Sequence, residues 1–436
     1  MPDAQPPLSV SAVRTLRLAA ALGGVVLLSA GLAAGLVTGS RGFGRVQLLL
    51  TVAGTLLLLA SLLGPRLPVV HRSAGALLIN CLLLVLLAEL AATVVLQLLP
   101  ARRVAGRDWR AQYENAAWYR PRPWAADFWR EHWPAAEERR YHAFTLWRSA
   151  PHEGRWVNVD TAGLRRTTRA PCASGATRVF LFGGSTMWGW LAHDSGTIAS
   201  HLQRILDDRA PARFCVENYG QLGYVAVQER LELERQLEAG NVPAVAIFYD
   251  GWNDCDIAAS NRRAGLHKDY EAFAGGVNAI GRPQPGRPAW RQLALARLAE
   301  RLRPPRREEP RTAPPPDSAS LGSAAASRYL ANAALIDALA AHFGFRAYSV
   351  LQPWIRVGSK PLSAPERQIV PAGSSPVCLA AYQRLAAAAP RARLVNLAGA
   401  FDAETATVYL DEMHVTPDGN AIVASRLAAL LDTPVR

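Results

Sequence analysis

Apolar positions follow two regimes along this chain. Before Pro100 they come in long unbroken runs, and after about Ala176 they come in short β-rich stretches alternating with amphipathic helical ones. The runs Leu18 to Thr38, Val46 to Gly64 and Ala74 to Leu99 are each long enough to cross a bilayer core as a helix, so residues 1–100 read as a membrane anchor with three transmembrane helices. The first run is too long, and too closely followed by two more, for a cleaved signal peptide.

The second regime has the form of a parallel sheet with helices on both faces, a three-layer α/β/α arrangement of flavodoxin-like type. Strands are predicted at Val179–Phe182, Phe214–Asn218, Ala244–Tyr249, Arg346–Leu351 and Arg393–Leu397. Helices are predicted at Thr197–Asp208, Ala226–Glu238, near Arg328–His342, near Val377–Ala387 and from about Asp418. The catalytic-type domain is therefore 176–436. Residues 101–175 form a connector rich in tryptophan and arginine, suited either to a membrane interface or to packing on the following domain. Within the domain, 275–323 is dense in proline, arginine, serine and alanine and reads as a largely flexible insertion.

Charge changes the picture little. The formal net charge is +13, and Lys268 and Lys360 are the only lysines. The arginines are scattered without a recognition-helix, zinc-ligand or aromatic RNA-binding pattern, which argues against nucleic acid and leaves anionic lipid headgroups as a partner. Loop arginines lean weakly toward placing the C-terminal domain in the cytoplasm. Cys81 lies in the third apolar run, whereas Cys172, Cys215, Cys255 and Cys378 lie beyond it. Without a CxxC pair a metal site is not expected, nor is a cofactor; the four cysteines are readable as disulfides or as buried thiols.

Four blocks carry candidate chemistry. The first strand runs into Gly183-Gly184-Ser185-Thr186, at the carboxyl end where an open α/β sheet presents its ligands. Asn218-Tyr219-Gly220-Gln221-Leu222-Gly223 follows the second strand and Gly251-Trp252-Asn253-Asp254 the third; N–H groups there can face a developing oxyanion. Asp411-Glu412-Met413-His414 precedes the last helix, offering the imidazole and carboxylate that a serine nucleophile needs. Each block alone is also ordinary turn chemistry.

In this order and at these strand ends, the four blocks resemble the SGNH (GDSL-type) hydrolase family, in its membrane-anchored bacterial form. The resemblance covers about Arg178 to Leu431 without the insertion. It implies Ser185 as nucleophile, Asp411 and His414 as the other triad members, and an oxyanion hole of the Ser185 and Gly223 N–H groups and the Asn253 amide, with Gly220 the weaker candidate in the second block. One departure is Gly-Gly-Ser in place of the family's common Gly-Asp-Ser. The implied activity is an esterase working through an acyl-enzyme, on an O-acylated glycan or lipid-linked saccharide. The rivals are an O-acyltransferase that modifies a surface polysaccharide with the same site, and a non-catalytic membrane assembly protein. The resemblance further implies an inner-membrane protein with its domain on the periplasmic or extracytoplasmic side, against the loop arginines. Three lesser signals stand apart: Glu89 inside an apolar run, which calls for a function or an interhelical partner, and Trp188 and Trp190, placed to stack on a sugar or to pack on the sheet.

Overall fold

The structure is a computed structural model that describes residues 14, 17–18, 20–29, 45–62, 84–85, 88–89, 91–96, 109–168, 172–280, 293–302, 317–370, 375–388 and 394–432. The chain divides into two units, Met1–Gly106 with Gly276–Arg311, and Arg107–Gly275 with Thr312–Arg436.

In the first unit, α1 (Arg45–Leu62) occupies nearly all of the run 46–64, and residues 20–29 of the first run are helical. Residues 30–38 of that run, and 74–83 and 97–99 of the third, lie outside the described residues. At 1.5 Å per residue the 18 residues of α1 extend only about 27 Å, below the ~30 Å of a hydrocarbon core. Among the described residues no helix is long and apolar enough to cross a membrane. The helical segments meet backbone to backbone: a Cβ on Gly54 would lie 2.7 Å from the Gly24 carbonyl oxygen, and one on Gly24 would lie 2.9 Å from that of Gly54. Glu89 does have a partner. Its carboxylate accepts the N–H groups of Ala294 and Leu295, the latter at 3.0 Å, which start the helix Ala294–Leu302.

The second unit begins with α2 (Trp109–Glu114), α3 (Ala125–Glu137) and an antiparallel hairpin of β1 (Arg139–His142) and β2 (Leu146–Ser149). Next come β3 (Thr177–Gly183), α4 (Ser185–Trp188), α5 (Ile198–Arg209), β4 (Phe214–Asn218), α6 (Ala226–Glu238), β5 (Val245–Asp250) and α7 (Trp252–Asn261). The chain finishes through α8 (Ser318–Phe343), β6 (Arg346–Leu351), α9 (Pro376–Ala387), β7 (Leu394–Asn396) and α10 (Pro417–Leu431). The five long-range strands form one parallel sheet in the order β4-β3-β5-β6-β7.

Period-two alternation sorts the core onto two faces. Val179, Leu181 and Ile247 pack with Leu202 and Leu206 of α5 and Val423 and Leu427 of α10. Phe180, Phe182 and Phe248 pack with Leu233 of α6 and Ile336 and Ala340 of α8. Because β3 pairs with β4 on one side and β5 on the other, the chain reverses its direction of sheet growth there, and a crevice opens beyond the carboxyl ends of these strands.

Two segments outside the predicted sheet take on more definite form in the structure. Of the segment read as a connector at 101–175, the described residues from Trp109 pack within the second unit, the second of the two placements open to it. Tyr119 and Phe128 are fully buried, and Trp129 and Trp133 nearly so, against Trp188, Leu191 and Leu222. Burying such a ring stabilises by about 1.5–3 kcal/mol, so an amphipathic α3 that can place several rings against the domain does so. The stretch 275–323, expected to be largely flexible, contains the helix Ala294–Leu302 and the start of α8, ten residues before the expected Arg328. Asp317 caps α8 by accepting the Ser320 N–H at 2.9 Å, and the alanine-rich sequence behind it propagates the helix. Residues 303–316 lie outside the described residues.

The four cysteines of the second unit pair as Cys172–Cys215 and Cys255–Cys378, with Cα atoms 5.5 and 5.0 Å apart, which resolves the choice between disulfides and thiols. Among the described residues the one group spaced to hold a metal is Cys172, Cys215 and Glu217, and its two sulfurs are bonded to each other.

Candidate active site

Ser185 opens α4 immediately beyond β3. Asn218 fastens the short helix by donating its side-chain amide to the Met187 carbonyl at 2.9 Å, and Thr186 donates to Gln352 at 3.1 Å. These bonds fix a serine that a four-residue helix alone would not hold. Asp411 and His414 lie on one tight turn closed by the Leu410 N–H to the His414 carbonyl at 2.8 Å.

The turn brings together residues 229 positions apart. His414 Nε2 lies 2.7 Å from Ser185 Oγ, and His414 Nδ1 lies 2.7 Å from Asp411 Oδ2. Asp411 Oδ1 accepts the N–H groups of Met413 at 2.9 Å and His414 at 2.7 Å. Burial would raise the Asp411 carboxyl, but the adjacent imidazole and the two backbone N–H groups outweigh it and hold the group below its ordinary value. An ionised carboxylate only accepts, so Nδ1 carries the imidazole proton and Nε2 is left to accept from the serine hydroxyl.

Ser185, Gly223, Asn253 and His414 line one cavity of about 610 Å³. Gly223 has φ +77°, a left-handed conformation that suits glycine, whereas Gly220 packs into α4: a Cβ there would lie 2.5 Å from the Trp188 nitrogen. The two second-block glycines are therefore separated by place. Asn253 donates one N–H of its amide to the Tyr224 carbonyl at 2.7 Å, which fixes the amide beside Gly184. Trp190 shares the cavity wall with His414, their ring centres 6.1 Å apart; Trp188 is fully buried beneath the Arg165 guanidinium, 4.4 Å from its ring centre. The stacking role considered for both tryptophans is thus geometrically open to Trp190 alone.

Among the contributors to the cavity that sequence reasoning missed are Tyr113, Arg139 and Lys268. Tyr113 donates its hydroxyl to Asp411 Oδ2 at 2.8 Å across 298 positions. The crowding of tryptophans around it signalled a packed aromatic segment, but nothing local pointed to the carboxylate.

The five-stranded parallel sheet flanked by helices is an α/β fold, with a Ser–His–Asp relay at the carboxyl end of β3. No family model matches the chain, and no curated protein does. Among solved structures it is similar to an acetyl xylan esterase, AlAXEase, at 12% identity over 58% of this chain and 99% of that one, with a TM-score of 0.33. It is also similar to LAE5, an alpha/beta hydrolase from the metagenome of Lake Arreo, Spain (15% identity, 60% and 98% covered, TM-score 0.29). A third is a protein described as lipolytic, of the G-D-S-L family, from Desulfitobacterium hafniense DCB-2 (11% identity, 58% and 99% covered, TM-score 0.29). Likenesses this distant leave the functional reading to the site's own geometry.

Proposed function

We propose that this protein is a membrane-anchored serine esterase of SGNH type that cleaves an O-acyl ester of a glycan or lipid-linked saccharide through an acyl-enzyme. The observation that carries the proposal is the unbroken relay Ser185–His414–Asp411, with both steps at 2.7 Å, opening on a cavity lined by Gly223 and Asn253.

In this mechanism Ser185 Oγ attacks the ester carbonyl as its proton passes to His414 Nε2. The negative charge on the carbonyl oxygen is met by the N–H groups of Ser185 and Gly223 and by the Asn253 amide. Collapse expels the alcohol, which takes the proton from His414 and leaves an acyl-serine. Water, deprotonated by His414, then releases the carboxylic acid and restores the hydroxyl.

Polar groups in the lining, among them Arg139, Asp256, Asn261, Lys268 and Glu271, suit a hydroxyl-rich ligand better than a long acyl chain. The volume also leaves room for a hydroxyl acceptor beside the ester, and resolution of the acyl-serine by that hydroxyl instead of water would make the enzyme an acyltransferase.

The anchoring reading draws support from the inside-out character of the first unit. Gln47, Ser61 and Glu89 are buried there, while Leu22, Val26 and Leu62 are 63%, 63% and 74% exposed. A water-facing surface does not leave large aliphatic side chains out and polar ones in, whereas a lipid-facing one does. Two disulfides fit the oxidising periplasmic or extracytoplasmic side.

The test is a fluorophosphonate probe on the purified full chain beside Ser185→Ala. Labelling of the wild type alone is expected. Absence of labelling in both would overturn the proposal in favour of a non-catalytic assembly role.

A further inference from the structure

We propose that Tyr113 is a positioning residue of the triad, setting the basicity of His414 through the carboxylate the two share; this deepens the esterase reading and rests on it for its catalytic consequence. The argument starts from the carboxylate's full hydrogen-bond capacity. Two oxygens offer about four lone-pair sites. In Asp411 all four are taken: Oδ1 by the Met413 and His414 N–H groups, Oδ2 by His414 Nδ1 and the Tyr113 hydroxyl.

Tyr113 is held there by a built environment. It is 8% exposed, in α2, with its ring 6.2 Å from that of Trp133, while Trp133 Nε1 donates to Glu114 at 2.7 Å and Arg110 pairs with Glu137. Trp118, in the turns that follow α2, donates to Asp418 at 2.7 Å, tying the same segment to the start of α10. Burial and the Asp411 charge both push the phenol's ionisation upward, so it stays a donor at any working pH.

A second donor on Oδ2 draws charge away from the oxygen that stabilises the His414 imidazolium. The serine relay needs neutral His414, so the free-enzyme imidazole defines the acid limb of kcat/KM. Removing the Tyr113 hydroxyl concentrates charge on Oδ2, favours the imidazolium and moves that limb to higher pH, by about 0.5 to 1 unit.

Other charged groups face the pair. His132, buried on α3, is pushed low by desolvation and by Arg165 and stays neutral. Arg356 and Glu412 form a pair 3.6 Å apart beside the turn, and Arg139, Asp256, Lys268, Asp269 and Glu271 line the cavity onto which His414 opens. None of these is changed by Tyr113→Phe, which removes one oxygen and leaves the ring.

The experiment follows the His414 imidazole by ¹⁵N NMR in the full chain, assigned with His414→Gln, in wild type, in Tyr113→Phe and with 3-fluorotyrosine at position 113. The acid limb of ester hydrolysis is measured in parallel. Tyr113→Phe is expected to raise the imidazole titration, and the more acidic fluorophenol, a stronger donor, to lower it. Opposite displacements are a signature that lost packing alone does not give. Titrations within 0.2 unit of wild type for both would overturn the assignment. The NMR readout needs no turnover, so if no ester is cleaved the esterase reading falls while the Tyr113 assignment is still decided.

Discussion

Gly184 stands between two functional groups with no room for a side chain. A Cβ on it would lie 2.3 Å from the Asn253 amide nitrogen. The close approach of that amide is what a side chain here would prevent. The departure from Gly-Asp-Ser is visible in the sequence, but the amide that lies against Gly184 comes from α7, 69 positions away, and is not. Gly184→Ala is expected to push that amide off the oxyanion position and lower kcat with little change in KM, approaching the about 10²–10³-fold loss of a missing donor. Steady-state kinetics on a model ester would check it, and a kcat within threefold of wild type would refute the placement.

The elements differ in how plainly their sequences announce them. β4 and β6 run over the residues expected, short stretches of β-forming residues bounded by turns. The β1–β2 hairpin was not legible: its first strand is Arg-Arg-Tyr-His, largely exposed, and its turn places Phe144 and Leu146 at positive φ, where glycine or asparagine would have been the signal. Of the site, the four blocks were readable from spacing, whereas Tyr113 and the Cys255–Cys378 pair depend on contacts made only by folding. That disulfide fastens α7, which carries Asn253, to α9 across 123 positions. Replacing both cysteines by serine is expected to lower stability by about 2–5 kcal/mol, read as a lower denaturant midpoint, with activity lost in step as α7 loosens. An unchanged midpoint would show that the bridge adds nothing to the fold.

At the scale of the second unit, three carboxyl groups from separate elements meet behind the start of α7. Glu229 on α6, Asp250 at the end of β5 and Asp254 on α7 converge near Tyr329 of α8, with Glu229 and Asp250 buried. Burial pushes Asp250 up to about 6, and burial with the Asp250 charge pushes Asp254 up to about 8; Glu229 rises in the same direction. Groups raised on folding stabilise fully below their unfolded values near 4 and lose that contribution as pH climbs through the folded ones. The melting temperature should therefore fall between about pH 5 and 9, and Asp254→Asn should flatten the upper part of the decline. Identical slopes in the two proteins would remove the cluster as the cause.

The chain passes between its two units three times, at 106–107, 275–276 and 311–312. A catalytic domain hung on a single leader is shed by one proteolytic nick. Here a cut at 106–107 parts Met1–Gly106 covalently from the rest, but the Glu89 carboxylate still accepts the Ala294 and Leu295 N–H groups, so Gly276–Arg311 would be held within the first unit by non-covalent contacts.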